Sequence, residues 1–377
     1  MKGEKKAPKL RFKGFTDDWE QRKLGDVAKI TAGGDINKGD LINKGKYPVI
    51  ANGLNNNGIV GYSNKYKIDA PAVTITGRGT LGVATARFIN FTPIVRLISI
   101  KSDLDPIYLE NVINNTHFVI ESTGVPQLTA PQVKRQTVIL SNCHIEQTKI
   151  GSLFLTLDNA ITLHEEKKRQ LERLKSALLQ KMFADKSGYP PVRFEGFSDK
   201  WEQVKYGEIF QRRSKMGVST PTLPSVEYDD INPGMGTLNK EPKSKGISKR
   251  GIYFNPGDVL FGKLRPYLKN WLFACFEGVA VGDFWVLTSS KIDHGFTYSL
   301  IQTPGFQYIA NLSSGSKMPR SDWGLVSNAR TFIPINHLEQ ERISSVLFGL
   351  DHAITLYEHK LEILNKIKSF LLQNMFI

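Results

Sequence analysis

Cysteine is scarce in this chain. Cys143 and Cys275, one in each half, offer no disulfide framework and fit a reducing cytoplasm. No apolar run reaches membrane-spanning length, and the first residues, MKGEKKAPK, form a basic arm without the apolar stretch of a secretory signal. A cytoplasmic protein without membrane contact is expected. Catalytic signatures are missing as well. There is no GxSxG, Walker loop or Cys–His arrangement, and the histidines at 117, 144, 164, 294, 337, 352 and 359 include no close ligand pair. Neither catalysis nor a metal or cofactor bound by this chain is expected. Acidic residues are the last shortage: 36 Asp and Glu face 50 Lys and Arg, leaving +14. Such an excess favours a polyanionic partner, nucleic acid above all.

Three near-matches to catalytic motifs fail on their surroundings. Gly77-Arg78-Gly79-Thr80-Leu81-Gly82 spells GxGxxG, but a dinucleotide site needs a helix to begin there, and the following VATARFINF has strand character. A turn presenting Arg78, its positive φ permitted by glycine, is the better reading. Asp230 with Glu241-Pro242-Lys243 imitates a nuclease metal site, yet a proline sits inside what should be a strand. Asn232-Pro233 and Asn255-Pro256 continue into glycine, unlike the Asn-Pro-Pro-aromatic motif of adenine methyltransferases.

What the chain has in abundance is repetition. Residues 146–183, EQTKIGSLFLTLDNAITLHEEKKRQLERLKSALLQKMF, recur at 339–376 as EQERISSVLFGLDHAITLYEHKLEILNKIKSFLLQNMF, with about half the positions identical. Neither copy has Gly or Pro beyond Leu157 or Leu350, and both are dense in Leu, Lys, Glu and Gln, so each reads as one long helix. Ile150, Leu153, Leu157, Ala160, Leu171, Leu174 and Leu178 recur at steps of three and four. Ile343, Val346, Leu350, Ala353, Leu364, Ile367 and Leu371 do the same. This spacing predicts a coiled-coil seam, broken at His164/Lys167 and Tyr357/Lys360. At about 1.5 Å per residue, positions 157 to 183 make a rod of roughly 40 Å. The two rods are expected to pack together as spacers.

A second repeat opens each half: LRFKGFTDDWEQRKLGDV at 10–27 and VRFEGFSDKWEQVKYGEI at 192–209. The sequence therefore predicts an α+β protein with a pseudo-two-fold internal repeat, in which globular regions at 8–145 and 186–338 alternate with spacer helices at 146–185 and 339–377. In the first region KYPVIANG, AVTITG, GVATARF and IVRLISI read as short strands, and 106–118 as a helix. In the second, GIYF, DVLFGKL, WLFACFEGVAV and FWVLTS read as strands, and 296–308 as a comparable helix. Outside the repeated frame the two regions show little likeness, as two modules reading different things would.

The candidate readers are basic or polar residues on glycine-punctuated loops: Arg78 with Thr80, Gln127, Lys263 with Arg265 in FGKLRPYLK, and Lys317 with Arg320 in SGSKMPR. Arg and Lys hydrogen-bond phosphates and guanine edges, while Gln and Thr can read base edges.

The repeated RF-GF-D-WEQ openings, YPVIANG with the ITGRG turn, PGDVLFGKLRPYL with GDFWVL, and the duplicated EQ…LD-AITL…LLQ-MF helices together resemble the specificity subunit of Type I restriction–modification enzymes. The resemblance covers essentially the whole chain. It implies two target recognition domains, each reading one half of a bipartite sequence in double-stranded DNA, and two helices packed antiparallel as a ruler. It further implies docked methyltransferase subunits, two being expected, which supply adenine methylation and bind S-adenosylmethionine. Restriction subunits add translocation and cleavage, with ATP and magnesium also on the partners. The family offers no fixed DNA-reading residues. A self-sufficient methyltransferase or nuclease is opposed by the missing motifs, and a scaffold without a DNA role by the charge of +14.

Overall fold

Short runs of Val, Ile and Thr become strands where the sequence places them, and their burial decides which of them form the core. The computed structural model describes residues 7–118, 126–241, 248–312 and 318–377. The chain divides into two units: the chain up to His164 with Leu361–Ile377, and Glu165–Lys360. The helices expected at 146–185 and 339–377 are thus each shared between units and do not stand as bodies of their own.

The first unit runs β1 (Glu20–Lys23), α1 (Leu24–Val27), β2 (Ala28–Ala32), β3 (Tyr47–Ile50), β4 (Ile59–Ser63), β5 (Ala72–Thr76), β6 (Ala84–Arg87), β7 (Thr92–Pro93), β8 (Leu97–Ser102), α2 (Pro106–Asn114), α3 (Ala130–Arg135), β9 (Thr137–Leu140) and the start of α4 (His144–Lys181). A four-stranded antiparallel sheet has the order β2-β8-β5-β6, and a three-stranded mixed sheet, in which β3 and β7 run parallel, the order β4-β3-β7. Every residue of β5 is buried. Asp105 caps α2 by accepting from the Ile107 and Tyr108 amides, with Pro106 at the position that needs no donor.

The second unit, after the remainder of α4, runs β10 (Glu202–Lys205), α5 (Tyr206–Ile209), β11 (Gln211–Arg212), β12 (Met216–Val218), β13 (Ser225–Val226), β14 (Ile231–Asn232), β15 (Thr237–Leu238), β16 (Arg250–Phe254), β17 (Val259–Gly262), β18 (Trp271–Phe273), β19 (Gly278–Ala280), β20 (Phe284–Thr288), α6 (His294–Ile301), α7 (Pro304–Ala310), α8 (Trp323–Asn328), β21 (Arg330–Ile333) and most of α9 (His337–Met375). Its sheet β11-β20-β17-β18 repeats the order of β2-β8-β5-β6. This corrects the expectation of unlike contents. The regions share a core topology, because a strand needs only apolar residues on its buried face and can lose all identity while keeping its place. The helix expected at 296–308 is also two helices. Pro304 has no amide to continue α6, and Thr303 caps the new start by accepting from Phe306.

The repeated motifs are explained by contacts within each unit. In the first, the buried Glu146 at the start of α4 accepts from Arg11 Nη2 at 2.9 Å and from the Trp19 indole at 3.1 Å. In the second, Glu339 takes the same two bonds from Arg193 (2.9 Å) and Trp201 (3.3 Å). The Met-Phe endings fill the cores: Phe376 packs against Trp19, Tyr108 and Phe154, and Phe183 against Trp201 and Phe296. The opening arginine and tryptophan, the EQ glutamate and the terminal phenylalanine are therefore one structural joint used twice.

The helices pair antiparallel. In the second unit Lys168 meets Glu358 at 2.6 Å and Lys175 meets Asp351 at 2.5 Å, so advancing along α4 retreats along α9. In the first unit the equivalent pair, Asp158 with Lys368, has the helices' roles exchanged. The inward stripe of α4 runs Ile150, Phe154, Leu157, Ile161, His164, Lys168, Leu171, Lys175, Leu178 and Met182. That of α9 is Ile343, Leu347, Leu350, Ile354, Tyr357, Leu361, Leu364, Lys368, Leu371 and Met375. Ile150, Leu157, Leu171 and Leu178, and Ile343, Leu350, Leu364 and Leu371, stand where the spacing expects them; the positions between them shift by one residue. Leu174 and Ile367 are 46% and 42% exposed, Ala160 and Ala353 flank the stripe half-buried, and the polar breaks include Lys168 in place of Lys167. Leucine at 174 misleads because the 4-3 alternation from Leu171 to Leu178 passes through a lysine.

Candidate nucleic-acid interface

The GxGxxG run is the connection of a hairpin, as expected: it leaves β5 and enters β6, with Gly79 and Gly82 at φ +74° and +77°. Gly77 has no room for a side chain, since a Cβ would lie 2.4 Å from the Arg96 carbonyl oxygen. The Asn52 side chain fastens the turn. Its oxygen accepts from the Gly77 amide at 2.5 Å and its amide donates to the Arg78 carbonyl. Arg78 is then exposed and bridges antiparallel to Gln127, while Leu128 N donates to Gly77 O at 2.9 Å. Gln127 Oε1 in turn accepts from Arg96 Nη1 at 2.7 Å. The sequence-expected Arg78 and Gln127 are thus brought together. Thr80 shares the turn, exposed, and accepts through its carbonyl from the Thr76 hydroxyl at 2.5 Å.

At the same end of the second unit's sheet, Lys263 and Leu264 follow β17 as Gly77 and Arg78 follow β5. Leu264 bridges Arg320 antiparallel, and Ser321 N donates to Lys263 O at 2.8 Å. Asp283, just before β20, holds two cations: Arg320 donates to Oδ2 from Nε at 3.2 Å and from Nη2 at 3.0 Å, and Lys263 Nζ lies 3.7 Å from Oδ1. The Tyr228 hydroxyl donates to the Asp283 carbonyl at 2.5 Å and accepts from Leu264 N, and burial pushes it up to about 12. Arg265 is exposed at φ +49° with its amide donating to Pro319 O at 2.7 Å. Lys263, Arg265 and Arg320 therefore converge; Lys317 lies outside the described residues.

A cleft of about 950 Å³ opens beside Lys263, lined by Arg212, Arg213, Phe284, Trp285 and Trp323. The Arg212 guanidinium lies 4.6 Å over the Trp323 ring, and Arg213 is anchored on the buried Asp258. Donors and cations of this kind suit phosphate oxygens and the acceptor edge of guanine. Among the described residues no cluster of His, Cys, Asp and Glu is placed to hold a metal, and no helix is long and apolar enough to cross a membrane.

Sequence reasoning did not name Asn52, Arg96, Tyr228 or Asp283 as site residues. Asn52 and Asp283 do stand inside the quoted YPVIANG and GDFWVL. Arg96 carries a signal only in three dimensions, its left-handed φ of +77° at the mouth of β8.

Residues 16–173 match the model of the Type I restriction modification DNA specificity domain. A putative type I specificity subunit of Mycoplasma pneumoniae is 28% identical over 143 residues, which is 36% of this chain and 39% of that one. The chain thus spans about two fifths of that relative's length. The EcoDI specificity subunit of Escherichia coli is 21% identical over 364 residues, covering 87% of this chain and 77% of that one. The crystal structure of the S subunit of a Type I system from M. genitalium superposes with a TM-score of 0.72 at 14% identity, over 98% of this chain and 99% of that one. This last likeness shows the fold.

Proposed function

We propose that this chain, whose residues 16–173 match the Type I restriction modification DNA specificity domain, is the non-catalytic DNA-recognition subunit of a Type I restriction–modification system. Each unit reads one half of a bipartite target in double-stranded DNA. The chain directs partner methyltransferase subunits, two per assembly, to adenine, and restriction subunits to cleavage. S-adenosylmethionine, ATP and magnesium belong to those partners, and the assembly works in the cytoplasm. The observation that carries the reading is the pair of matching turns: one backbone arrangement, present in both units, with different side chains on it. A scaffold has no use for such a difference, whereas two readers of unlike half-sites require it.

Two experiments test this reading. Replacing residues 28–145 by the corresponding region of another specificity subunit, in complex with the methyltransferase subunits, should change one half-site and leave the other intact. A change in both would mean the units are not independent readers. Purified chain alone, given labelled S-adenosylmethionine and DNA, should transfer no methyl group; transfer would overturn the non-catalytic assignment.

A further inference from the structure

Strand register makes the two turns comparable position by position. Thr76 pairs with Leu97 in the first unit and Gly262 with Phe284 in the second, so the next residues outward, Gly77 with Arg96 and Lys263 with Asp283, are equivalent. The bridges Arg78–Gln127 and Leu264–Arg320 make Gln127 and Arg320 equivalent in turn. At matching places, then, one unit holds an Arg96–Gln127 pair and the other an Asp283–Arg320 pair. Both pairs are hydrogen-bonded, yet the cationic member has changed position. The described non-glycine residues with left-handed φ are Asn56, Asn57, Arg96, Arg265 and Lys269, so two cationic ones fall at these turns. An αL arginine costs free energy that the surroundings must offset, and such strain gathers where a side chain's direction matters.

We propose that Arg96 with Gln127, and Arg320 with Asp283, are equivalent specificity-determining pairs, and that Arg320 reads a guanine in the half-site of the second unit. The proposal rests on the reading of the chain as a DNA-recognition subunit. Asp283 takes the Nε and one Nη of Arg320, which fixes the guanidinium plane and leaves its outer N–H groups free. Arg320 is 59% exposed at its side chain, so those groups are open to a ligand. Two coplanar donors match O6 and N7 of guanine. The carboxylate also argues against a plain phosphate contact, because Asp283 beside the guanidinium repels a phosphate but not a neutral base edge. In the first unit Gln127 has given its oxygen to Arg96. With one lone pair of that oxygen taken, the remaining N–H groups of both side chains are the larger part of what the pair can offer, which suits an acceptor edge: O6/N7 of guanine, N7 of adenine or O4 of thymine.

The test uses the assembled methyltransferase and a randomised duplex pool, with bound or methylated molecules sequenced. Wild type should return a bipartite motif with guanine at one position of the second unit's half-site. Arg320→Lys keeps the charge and the fold but not the planar fork. It should relax that one position by about tenfold or more, leaving the other half-site and the salt dependence unchanged. Asp283→Asn should relax the same position, and Arg96→Lys a position in the other half-site only. Thermal melts check that each variant is folded, and Arg320→Gln serves if the lysine variant is not. Uniformly weaker binding with an unchanged motif and a shallower salt slope would make these residues phosphate contacts and overturn the inference while leaving DNA recognition standing. A wild-type assembly that returns no motif would instead overturn the proposed function.

Discussion

At the scale of single residues, a buried carboxylate is tolerated only with its partners in place. Glu146 has no exposed side-chain area and Arg11 only 12%, so removing either strands a charge. Glu146→Gln should cost about 3 kcal/mol or more in unfolding free energy, read from denaturant melts. Burial pushes the Glu146 carboxyl up, but hydrogen bonds from Arg11, Ser141 and Trp19 outweigh it and hold the group below its ordinary 4.5. Its contribution is therefore complete above that value and fades as pH falls through the lower folded one. The gap between wild type and Glu146→Gln should narrow below about pH 4.5; a gap independent of pH would show that the carboxylate's charge is not what stabilises the joint. The sequence revealed this joint as a repeated motif without its reason, since Arg11 and Glu146 are far apart in the chain. The two matching turns were legible by half. Arg78, Gln127, Lys263 and Arg320 announce themselves as cations or amides among glycines, but Asn52 and Asp283 act by fastening a neighbour, and nothing local marks that.

At the scale of elements, periodicity identified the helices and half of the seam, Leu157, Leu171 and Leu178 with Leu350, Leu364 and Leu371 among it, but placed Leu174 and Ile367 one residue away from the inward positions. Counting leucines favours Leu174, whereas the structure turns Lys175 inward to meet Asp351 and Gln302. Burial raises the Asp351 carboxyl despite Lys175 beside it. Leu174→Gln and Ile367→Gln should therefore change stability by less than about 0.5 kcal/mol. Lys175→Met, which leaves Asp351 unpaired in a nearly dry site, should cost about 3 kcal/mol, and adding Asp351→Leu should recover most of it. Chemical denaturation of the four variants decides the phase; a cost at 174 equal to that at 175 would return the seam to Leu174. The break between α6 and α7 was likewise readable, at Thr303-Pro304, but a window of apolar residues runs across it and hides a one-turn interruption.

At the scale of the whole molecule, the duplicated frame was plain in the sequence and the duplicated sheet was not, because topology survives when identity is lost. Net charge of +14 gives the expectation that DNA affinity of the assembled enzyme falls about 10³-fold or more from about 50 to 200 mM salt if six or more phosphates are neutralised. A flat dependence would remove the phosphates from the account. The helices carry the longer argument. We propose that they set the spacing between half-sites, and their pairing dictates how this must be tested. The pairs Asp158–Lys368 and Lys175–Asp351 lie seventeen residues apart on α4 and seventeen apart on α9. Lengthening one helix alone would therefore break one of them. Four residues inserted into both, between Lys168 and Leu171 and between Thr355 and Glu358, keep both pairs and the Lys168–Glu358 pair while adding about 6 Å and a rotation of about 40°. One base pair rises about 3.4 Å, so the methylated target should keep both half-sites and gain one or two base pairs of spacer. Methylation-sensitive sequencing of a host carrying the altered enzyme reads both quantities at once. Half-sites that change while the spacer stays fixed would show that the helices do not measure the gap, and that distance is set within the recognition regions themselves.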